Sequence, residues 1–198
     1  MRAKLLTHAR KLFLQYGFDA VGTRQIAAAA GTTPAMIRYY FTDKFGLYRA
    51  MVEVAIEPVL AQLQRSQIAQ VPDVDTVLHS YMKMLADNPW LPSLLVHEVL
   101  DEGGRLREQF IEHFAGRVAP MLVEALRREQ ARGTVRDDIA PELAAVSAIS
   151  LCVFPFVSLP VTRKVLGLSV QGRHFERLAS HTLRLFRAGV APIPGKGP

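Results

Sequence analysis

Residues 23–47 read TRQIAAAAGTTPAMIRYYFTDKFGL, and this stretch decides the fold of the first part of the chain. Apolar residues at helical spacing follow Thr23, whose hydroxyl can cap a helix, and Gly31 ends this predicted helix. Thr33 followed by Pro34 is typical of an N-cap and a first helical residue, because proline lacks only an N–H that would have no partner there. The stretch predicts two short helices joined by a turn of about three or four residues, which is a helix-turn-helix.

Further helices are predicted on both sides of this stretch. Apolar side chains between residues 2 and 16 recur at helical spacing, and Gly17 ends the pattern. Another helix begins at Lys44 and contains Pro58, which should kink or break it. The predicted helices of the first part are 2–16, 23–30, 34–41 and 44 to about 68.

The pattern stays helical beyond residue 70, so the expected fold class is all-α. Pro120 lies inside the longest predicted helix and should bend it. The tail of residues 189–198 contains three prolines and three glycines and is expected to be disordered. The predicted helices of this part are 73–87, 90–100, 105–132, 141–157 and 171–188.

The net charge of +6 is concentrated in the first quarter of the chain. Residues 1–50 hold eight basic and two acidic side chains, whereas residues 51–198 hold sixteen of each. A basic segment joined to a neutral remainder predicts one module that meets a polyanion and a second module with another task. We therefore expect a three-helix DNA-binding domain in residues 1–48, a larger helical domain in residues 49–188 and a disordered tail in residues 189–198.

Composition and missing motifs argue against several other classes of protein. With 49% hydrophobic and 21% charged residues, the chain has the composition of a typical globular protein. It has no apolar run long enough to span a bilayer, and its first residues lack the apolar block of a signal peptide. Cys152 cannot form an internal disulfide, so a cytoplasmic protein is expected. The absence of metalloprotease, nucleophile-elbow, phosphate-loop and dinucleotide motifs predicts neither an enzyme nor a bound cofactor or metal.

The third predicted helix has one face suited to a protein core and another suited to DNA. Ile37 and Phe41 are four residues apart and should point inward, which leaves Pro34, Ala35, Arg38 and Tyr39 outward. An outward arginine can contact guanine or phosphate, and an outward alanine can meet a thymine methyl group. A charge run is more often a solvated helix face, but here it coincides with helix-turn-helix spacing and a scarcity of acids. The combination favours DNA.

Residues 9–47 follow the pattern A-x3-F-x3-G-F-x4-T-x2-I-A-x2-A-G-x-T-x3-I-x3-F-x2-K-x2-L. This pattern resembles the DNA-binding domain of the TetR family of one-component transcriptional regulators. The resemblance implies an all-helical homodimer, usually a repressor, whose C-terminal domain binds a small ligand and dimerises through its last two long helices. It also implies phosphate contacts by Thr23, Thr33, Tyr40 and Lys44, and positions facing bases at Arg24, Pro34, Ala35, Met36 and Tyr39.

One residue departs from the family pattern. Arg38 stands where a tyrosine usually follows the core residue Ile37, so a charge replaces an aromatic hydroxyl near the DNA backbone. We hypothesise that Arg38 takes over that phosphate contact or reads a guanine.

A mostly apolar effector is expected inside the second domain, where large apolar side chains would enclose it. His97 and Glu98 would serve as its polar anchors. The same side chains could instead be plain core. His97 with Asp101, and His113 as a distant third ligand, could also hold a metal, although surface histidines are the more common case. The candidate ligand-binding residues are Met82, Met84, Trp90, Leu94, His97, Glu98, Phe110 and Phe114.

The last two long helices are the predicted dimer interface. Residues 141–157 are too apolar for a helix with one wet face, so they should pack with residues 171–188 in a four-helix interface between two copies. Simple burial within one chain is the alternative. The candidate interface residues are Leu151, Phe154, Phe175, Leu178 and Leu185.

These features together predict a dimeric transcriptional regulator controlled by a small ligand. It should bind a palindromic or pseudo-palindromic DNA operator, because two recognition helices must enter successive major grooves about 34 to 36 Å apart. A DNA-binding regulator without a small-molecule effector, whose second domain only dimerises or recruits a protein, is the alternative. No contact with a membrane is expected.

Overall fold

The computed structural model describes residues 1–69 and 72–192, and every regular element in these residues is a helix. The all-α fold class predicted from the sequence is therefore confirmed. By compactness the chain divides into two units, Met1–Pro58 and Val59–Pro198.

The first unit contains the predicted helix-turn-helix. Its helices are α1 (Arg2–Tyr16), α2 (Thr23–Ala29), α3 (Pro34–Phe41) and the first part of α4 (Lys44–Ala69). Ile26, Ile37 and Phe41 are buried, which places the inward face of α3 against α2 as predicted. Gly31 has a φ of 66°, a left-handed conformation that favours glycine at the end of α2.

Three local details of the first unit differ from the sequence predictions. Gly22, whose backbone is extended, is the N-cap of α2, so Thr23 is the first helical residue and not the cap. Thr33 does hold the N-cap position of α3, but its side chain makes no capping hydrogen bond. Helix α4 continues through Pro58 without the predicted break, because proline removes one hydrogen bond and the flanking turns keep theirs. The compact division thus falls inside α4, ten residues after the boundary expected at residue 48.

The second unit is built around α5 (Val74–Asp87), which packs against α8, α9 and α11. Asp73 caps α5 by accepting a 2.7 Å hydrogen bond from the Thr76 backbone N–H. The other helices are α6 (Leu91–Leu95), α7 (Arg107–Phe110), α8 (Gly116–Ala131), α9 (Pro141–Val157), α10 (Leu159–Leu166) and α11 (Arg173–Val190).

Two predicted helices contain a π-helical turn. Helix α6 continues as the π turn Val96–Leu100, and α7 continues as the π turn Ile111–Ala115. The second π turn interrupts the helix predicted for residues 105–132 and ends immediately before Gly116. The Gly116 carbonyl lies four residues before Pro120, at the position where a proline ring crowds the helix backbone. Pro120 therefore coincides with a change of winding rather than a simple bend.

The end of the chain also differs from the prediction. Helix α10 is absent from the predicted pattern, since its eight residues carry no buried side chain and hence no core-facing stripe. Helix α11 continues to Val190, so the first two residues of the predicted tail are helical. Residues 193–198 of that tail lie outside the described residues.

A partly buried charge cluster connects three helices of the second unit. Arg187 on α11 donates from Nε to Asp75 Oδ1 at 2.7 Å and from Nη2 to Glu129 Oε1 at 3.2 Å, and its Nη1 also pairs with Glu129. Glu129 on α8 is only 7% exposed and also accepts from the Val74 backbone N–H. Pairing with Glu129, and then with Asp75, raises the pKa of Arg187, so the guanidinium stays charged.

Candidate nucleic-acid interface

The outward face of α3 presents the side chains that the sequence assigned to DNA. Arg38 is exposed, Tyr39 is 77% exposed and Tyr40 is 36% exposed. The two tyrosine rings pack edge to face with centroids 4.9 Å apart, which orders them beside Arg38. Pro34 and Ala35 are exposed at the start of the helix, and Met36 is partly exposed.

The N-terminal ends of α2 and α3 are free of side-chain caps. Gly22 has no side chain to offer, and the Thr33 hydroxyl makes no capping bond. Unpaired N–H groups and the positive end of the helix dipole suit phosphate oxygens. Thr23 at the start of α2 and Thr33 at the start of α3 are therefore placed where a DNA backbone could be held, and Arg24 beside Thr23 is exposed.

Lys44, a predicted phosphate contact, already has protein partners. Its ammonium donates to the backbone carbonyls of Phe18 at 3.0 Å and Val21 at 3.1 Å, and lies 4.2 Å from the centroid of the Phe18 ring. An ammonium has three N–H donors, so one remains for a phosphate. The structure thus gives Lys44 a positioning role, joining the start of α4 to the loop between α1 and α2, which the sequence did not reveal.

An aromatic cluster holds the same loop. The Phe18 ring packs against Phe13 and Tyr48, with centroid distances of 5.4 Å and 4.9 Å. Next to it, α3 and α4 approach so closely that a Cβ on Gly46 would lie 2.0 Å from the Phe41 carbonyl oxygen. The tight α3–α4 turn fixes the direction in which α3 presents its outer face.

Replacing Lys44 with Met should lower the free energy of unfolding of the first unit by about 1 to 2 kcal/mol. The change keeps much of the apolar stem and removes two hydrogen bonds from a charged donor and the contact with the Phe18 ring. Urea unfolding followed by circular dichroism measures the effect, with Lys11→Met on the exposed face of α1 as the matched control. Equal stabilities of the two variants would contradict the positioning role.

The candidate ligand-binding residues occupy several different environments in the second unit. Met82, Met84, Leu94 and Phe114 are buried, whereas Trp90 and Phe110 are partly exposed. The Phe114 ring packs at a tilt against Phe110 and Tyr81, with centroid distances of 5.2 Å and 5.9 Å, so an aromatic cluster joins α5 to the π turn after α7. The sequence did not single out Tyr81, whose pKa is raised by burial and by Cys152 nearby.

The two predicted polar anchors, His97 and Glu98, differ in their surroundings. His97 is exposed and does not face the interior. Glu98 accepts hydrogen bonds at 3.4 Å from the backbone N–H and Nη1 of Arg105, so its carboxylate stabilises the loop between the π turn Val96–Leu100 and α7. The π turn Val96–Leu100 also changes the spacing of His97 and Asp101, and the described part of the chain contains no group of three potential metal ligands.

The predicted dimer residues separate into exposed and buried side chains. Phe154 on α9 is 66% exposed and Leu185 on α11 is 53% exposed, while Leu151 and Leu178 are partly exposed. Phe175 differs from the other four candidates because it is buried within its own chain. It is 4% exposed and packs against His79, because it shares the inward face of α11 with Ala179, Thr182 and Phe186.

Helix α9 carries an apolar outer stripe that the sequence did not fully identify. Leu143, Val146 and Phe154 are each more than 60% exposed and lie at helical spacing on the side opposite the buried Cys152. Burial raises the pKa of Cys152 to about 12, so its thiol stays protonated and unreactive. No single helix among the described residues is long and apolar enough to cross a membrane. Helices α9 and α10 reach that length and apolar composition only when they are taken together, and the pair is bent by 71°.

Two family models match the chain in adjacent regions. The model of bacterial regulatory proteins of the tetR family matches residues 5–51, which contain α1 to α3. The model of the tetracyclin repressor-like C-terminal domain matches residues 71–184, more than half of the chain.

Curated relatives and solved structures agree with these matches. The chain is 28% identical over 158 residues to the HTH-type transcriptional repressor NicS of Pseudomonas putida, covering 77% of this chain and 74% of the relative. It is 27% identical over 143 residues to the HTH-type transcriptional repressor AcnR of Corynebacterium diphtheriae, covering 70% of each protein.

The fold is similar to that of the fatty acid degradation regulator FadR of Bacillus halodurans, with a TM-score of 0.74, 18% identity and 95% of each chain covered. It is also similar to the ketosteroid transcriptional regulator KstR2 of Mycobacterium tuberculosis, with a TM-score of 0.71, 18% identity, and 97% of this chain and 95% of that one covered. With its helix-turn-helix, its exposed α3 face and these matches, the chain belongs to the TetR family of DNA-binding transcriptional regulators and is not an enzyme.

Proposed function

We propose that the protein is a homodimeric repressor that binds a palindromic or pseudo-palindromic operator and releases it when a small, mostly apolar ligand binds the second unit. The single observation that supports DNA recognition most directly is the outer face of α3. It joins the exposed Arg38 and Tyr39 to a helix start without a side-chain cap. The protein would act in the cytoplasm, where its operator lies.

The proposed DNA contacts divide into two kinds. Phosphate contacts position the protein, and contacts to base edges give specificity. We assign phosphate contacts to Thr23, Thr33, Tyr40 and the remaining Lys44 donor, and base-edge contacts to Arg24 on α2 and to residues at the start and middle of α3. The proposed base-facing residues are Arg24, Pro34, Ala35, Met36, Arg38 and Tyr39.

The apolar outer stripe of α9 supports the proposed dimer. Its exposed side chains would be costly to leave in water, and they lie on one of the last two long helices. Packing this stripe and Leu185 against the same surface of a second copy gives an isologous interface. The interface would hold two α3 helices at the spacing of successive major grooves.

The proposed effector site lies around the aromatic cluster of Tyr81, Phe110 and Phe114. Two π turns border this region, and such turns are frequent at functional sites. A ligand that binds one arrangement of these helices more tightly than another would shift the dimer between states with different affinity for DNA. A regulator without a small-molecule effector remains the second candidate, with the same DNA site.

Selection of genomic fragments that bind the purified protein tests the proposal. We expect enrichment of one short inverted repeat, bound by a dimer. Compounds related to the neighbouring genes should then weaken the binding of that repeat. Binding no better than that of random duplex at physiological salt would refute the DNA function, whereas specific binding that no compound affects would favour the second candidate.

The Arg38→Ala variant should bind the selected operator about ten-fold or more weakly. If Arg38 contacts a guanine, the loss of affinity should depend on the identity of one base pair. If it contacts a phosphate, the loss should be the same for all operator sequences, and the slope of log affinity against log salt concentration should fall by about one. Fluorescence anisotropy over a range of salt and with base-substituted operators separates these cases, with Lys11→Ala as the control. Unchanged affinity at every salt concentration would exclude both roles of Arg38.

A further inference from the structure

Helix α1 carries four of the eight basic side chains of residues 1–50, and none of the proposed DNA contacts uses them. The four are Arg2, Lys4, Arg10 and Lys11. Their positions around the helix differ, because 3.6 residues complete one turn and residues nine apart lie on opposite sides. Arg2 therefore points away from Lys11, and it also points away from Lys4, which follows after just over half a turn.

Arg2 lies on the side of α1 that packs into the core of the first unit. Leu6, Ala9 and Phe13 follow it at i+4, i+7 and i+11, and all three are buried. Arg2 itself is exposed, so it stands at the open end of this buried stripe. The stripe directs the arginine toward the neighbouring helices rather than toward the solvent side of α1.

The Arg2 guanidinium is held against α3, the recognition helix. Its Cζ atom lies 5.3 Å from the centroid of the ring of Phe41, the last residue of α3. A cation–π contact at this distance orders a long side chain that would otherwise turn freely in water. This order lowers the entropic cost of any later contact that the guanidinium makes with DNA.

The same contact places Arg2 beside Arg38. Arg38 and Phe41 are three residues apart on α3, so they are neighbours on its surface, with Cβ atoms about 5 to 6 Å apart. The Arg2 guanidinium covers the ring of one neighbour, and the other neighbour is itself an exposed arginine. Two positive groups thus stand along one flank of α3.

Carboxylates of the protein do not neutralise these two groups. The ion pair recorded in the first unit joins Arg49 to Glu53, and among the described residues neither Arg2 nor Arg38 has such a partner. Asp43, at the turn after α3, instead accepts a 2.7 Å hydrogen bond from a backbone N–H. Because like charges held close together repel each other, an anion that contacts this flank is favoured.

A DNA backbone presents anions at this flank. An α-helix with its side chains is about 10 to 12 Å across and the major groove is about 12 Å wide, so a helix in the groove has phosphates along both flanks. Arg2 stands beside α3 and not on its outward face. This placement suits a contact to the backbone rather than to a base edge.

We propose that Arg2 is a further DNA-contact residue, whose guanidinium binds a backbone phosphate on the flank of α3 that carries Arg38. The contact positions the recognition helix and reads no sequence. This proposal rests on the DNA-binding part of the proposed function and requires neither the dimer nor the effector.

Fluorescence anisotropy with the Arg2→Met variant tests the contact. Methionine keeps an apolar chain against the Phe41 ring and removes the charge. Binding of the selected operator and of a random duplex should both weaken by about ten-fold at about 0.1 M salt, and the slope of log affinity against log salt concentration should fall by about one for each Arg2 that contacts DNA. The ratio of the two affinities should not change, because phosphates carry no sequence information.

Lys4→Met is the matched control. It removes an exposed charge from the same turn of α1, on the other side of the helix, so it reduces the general attraction to DNA without removing the contact. It should bind both duplexes within about two-fold of the native protein. Equal losses in the two variants would show that Arg2 acts only through long-range attraction, and this would overturn the proposal. All proteins carry the affinity tag at the C-terminal end, so that nothing is added beside Arg2.

Three further results would contradict the Arg2 contact in distinguishable ways. Unchanged affinity of Arg2→Met, while the native protein binds its operator, would refute this contact and leave the DNA-binding function intact. A loss confined to the operator would show that Arg2 reads bases or the shape of one sequence instead of a phosphate. Native protein that binds neither duplex would refute the DNA-binding function together with this proposal.

Discussion

The Phe154→Glu variant is expected to be monomeric and to bind the operator about 100-fold or more weakly than the native protein. Phe154 is 66% exposed on the apolar stripe of α9, so a carboxylate there would be buried against its own copy across the proposed two-fold axis. Each monomer would then bind a half-site without the gain that comes from linking two sites. Sedimentation equilibrium gives the oligomeric state, and anisotropy with the selected operator gives the affinity.

The control for this variant is Leu100→Glu. Leu100 is 69% exposed, but it lies at the end of the π turn after α6 and away from the stripe of α9. It should leave both dimerisation and operator affinity unchanged. A dimeric Phe154→Glu variant that keeps its operator affinity would show that the proposed interface is placed on the wrong surface.

The Arg187→Leu variant should lower the free energy of unfolding of the second unit by about 3 kcal/mol. The change leaves Glu129 buried without its counter-ion, and removing one partner of a buried pair typically costs about 3 to 5 kcal/mol. The lower part of that range applies because the Arg187 side chain is 31% exposed and water screens part of the charge. Urea unfolding measures the change at one fixed protein concentration, where dimerisation contributes equally to variants that have the same dimer affinity.

Two further variants distinguish this charge effect from lost packing. Arg184→Leu changes an exposed arginine on the same helix and should shift the stability by less than about 0.5 kcal/mol. Adding Glu129→Leu to Arg187→Leu should restore part of the loss, because the uncompensated buried charge is then gone. If the double variant is less stable than Arg187→Leu, the buried carboxylate is not the source of the destabilisation.

The sequence predicted the elements whose signals are local. The bounds of α3 and α9 follow from Pro34 and Pro141 at their first positions and from apolar periodicity, and the structure reproduces both. The burial of Ile37 and Phe41 follows from the same periodicity. The DNA-facing surface could be predicted because it is simply the opposite side of one short helix.

Features that depend on neighbouring helices could not be predicted in the same way. Phe175 and Leu185 lie on the same helix, yet only the packing of α11 against α5 and α9 decides that one is core and the other exposed. Helix α10 has no buried face to reveal it, and no local sequence signal marks the π turns after α6 and α7.

The sequence by itself determined the helix-turn-helix, the all-α class and the side of α3 available to DNA. Their causes are caps, glycines and periodicity within a few turns of chain. Only the tertiary structure decided that Arg187 pairs with Glu129 and Asp75 and that Lys44 holds the loop before α2. These arrangements join residues distant in sequence, and their energies depend on distances and burial that exist only once the helices have packed.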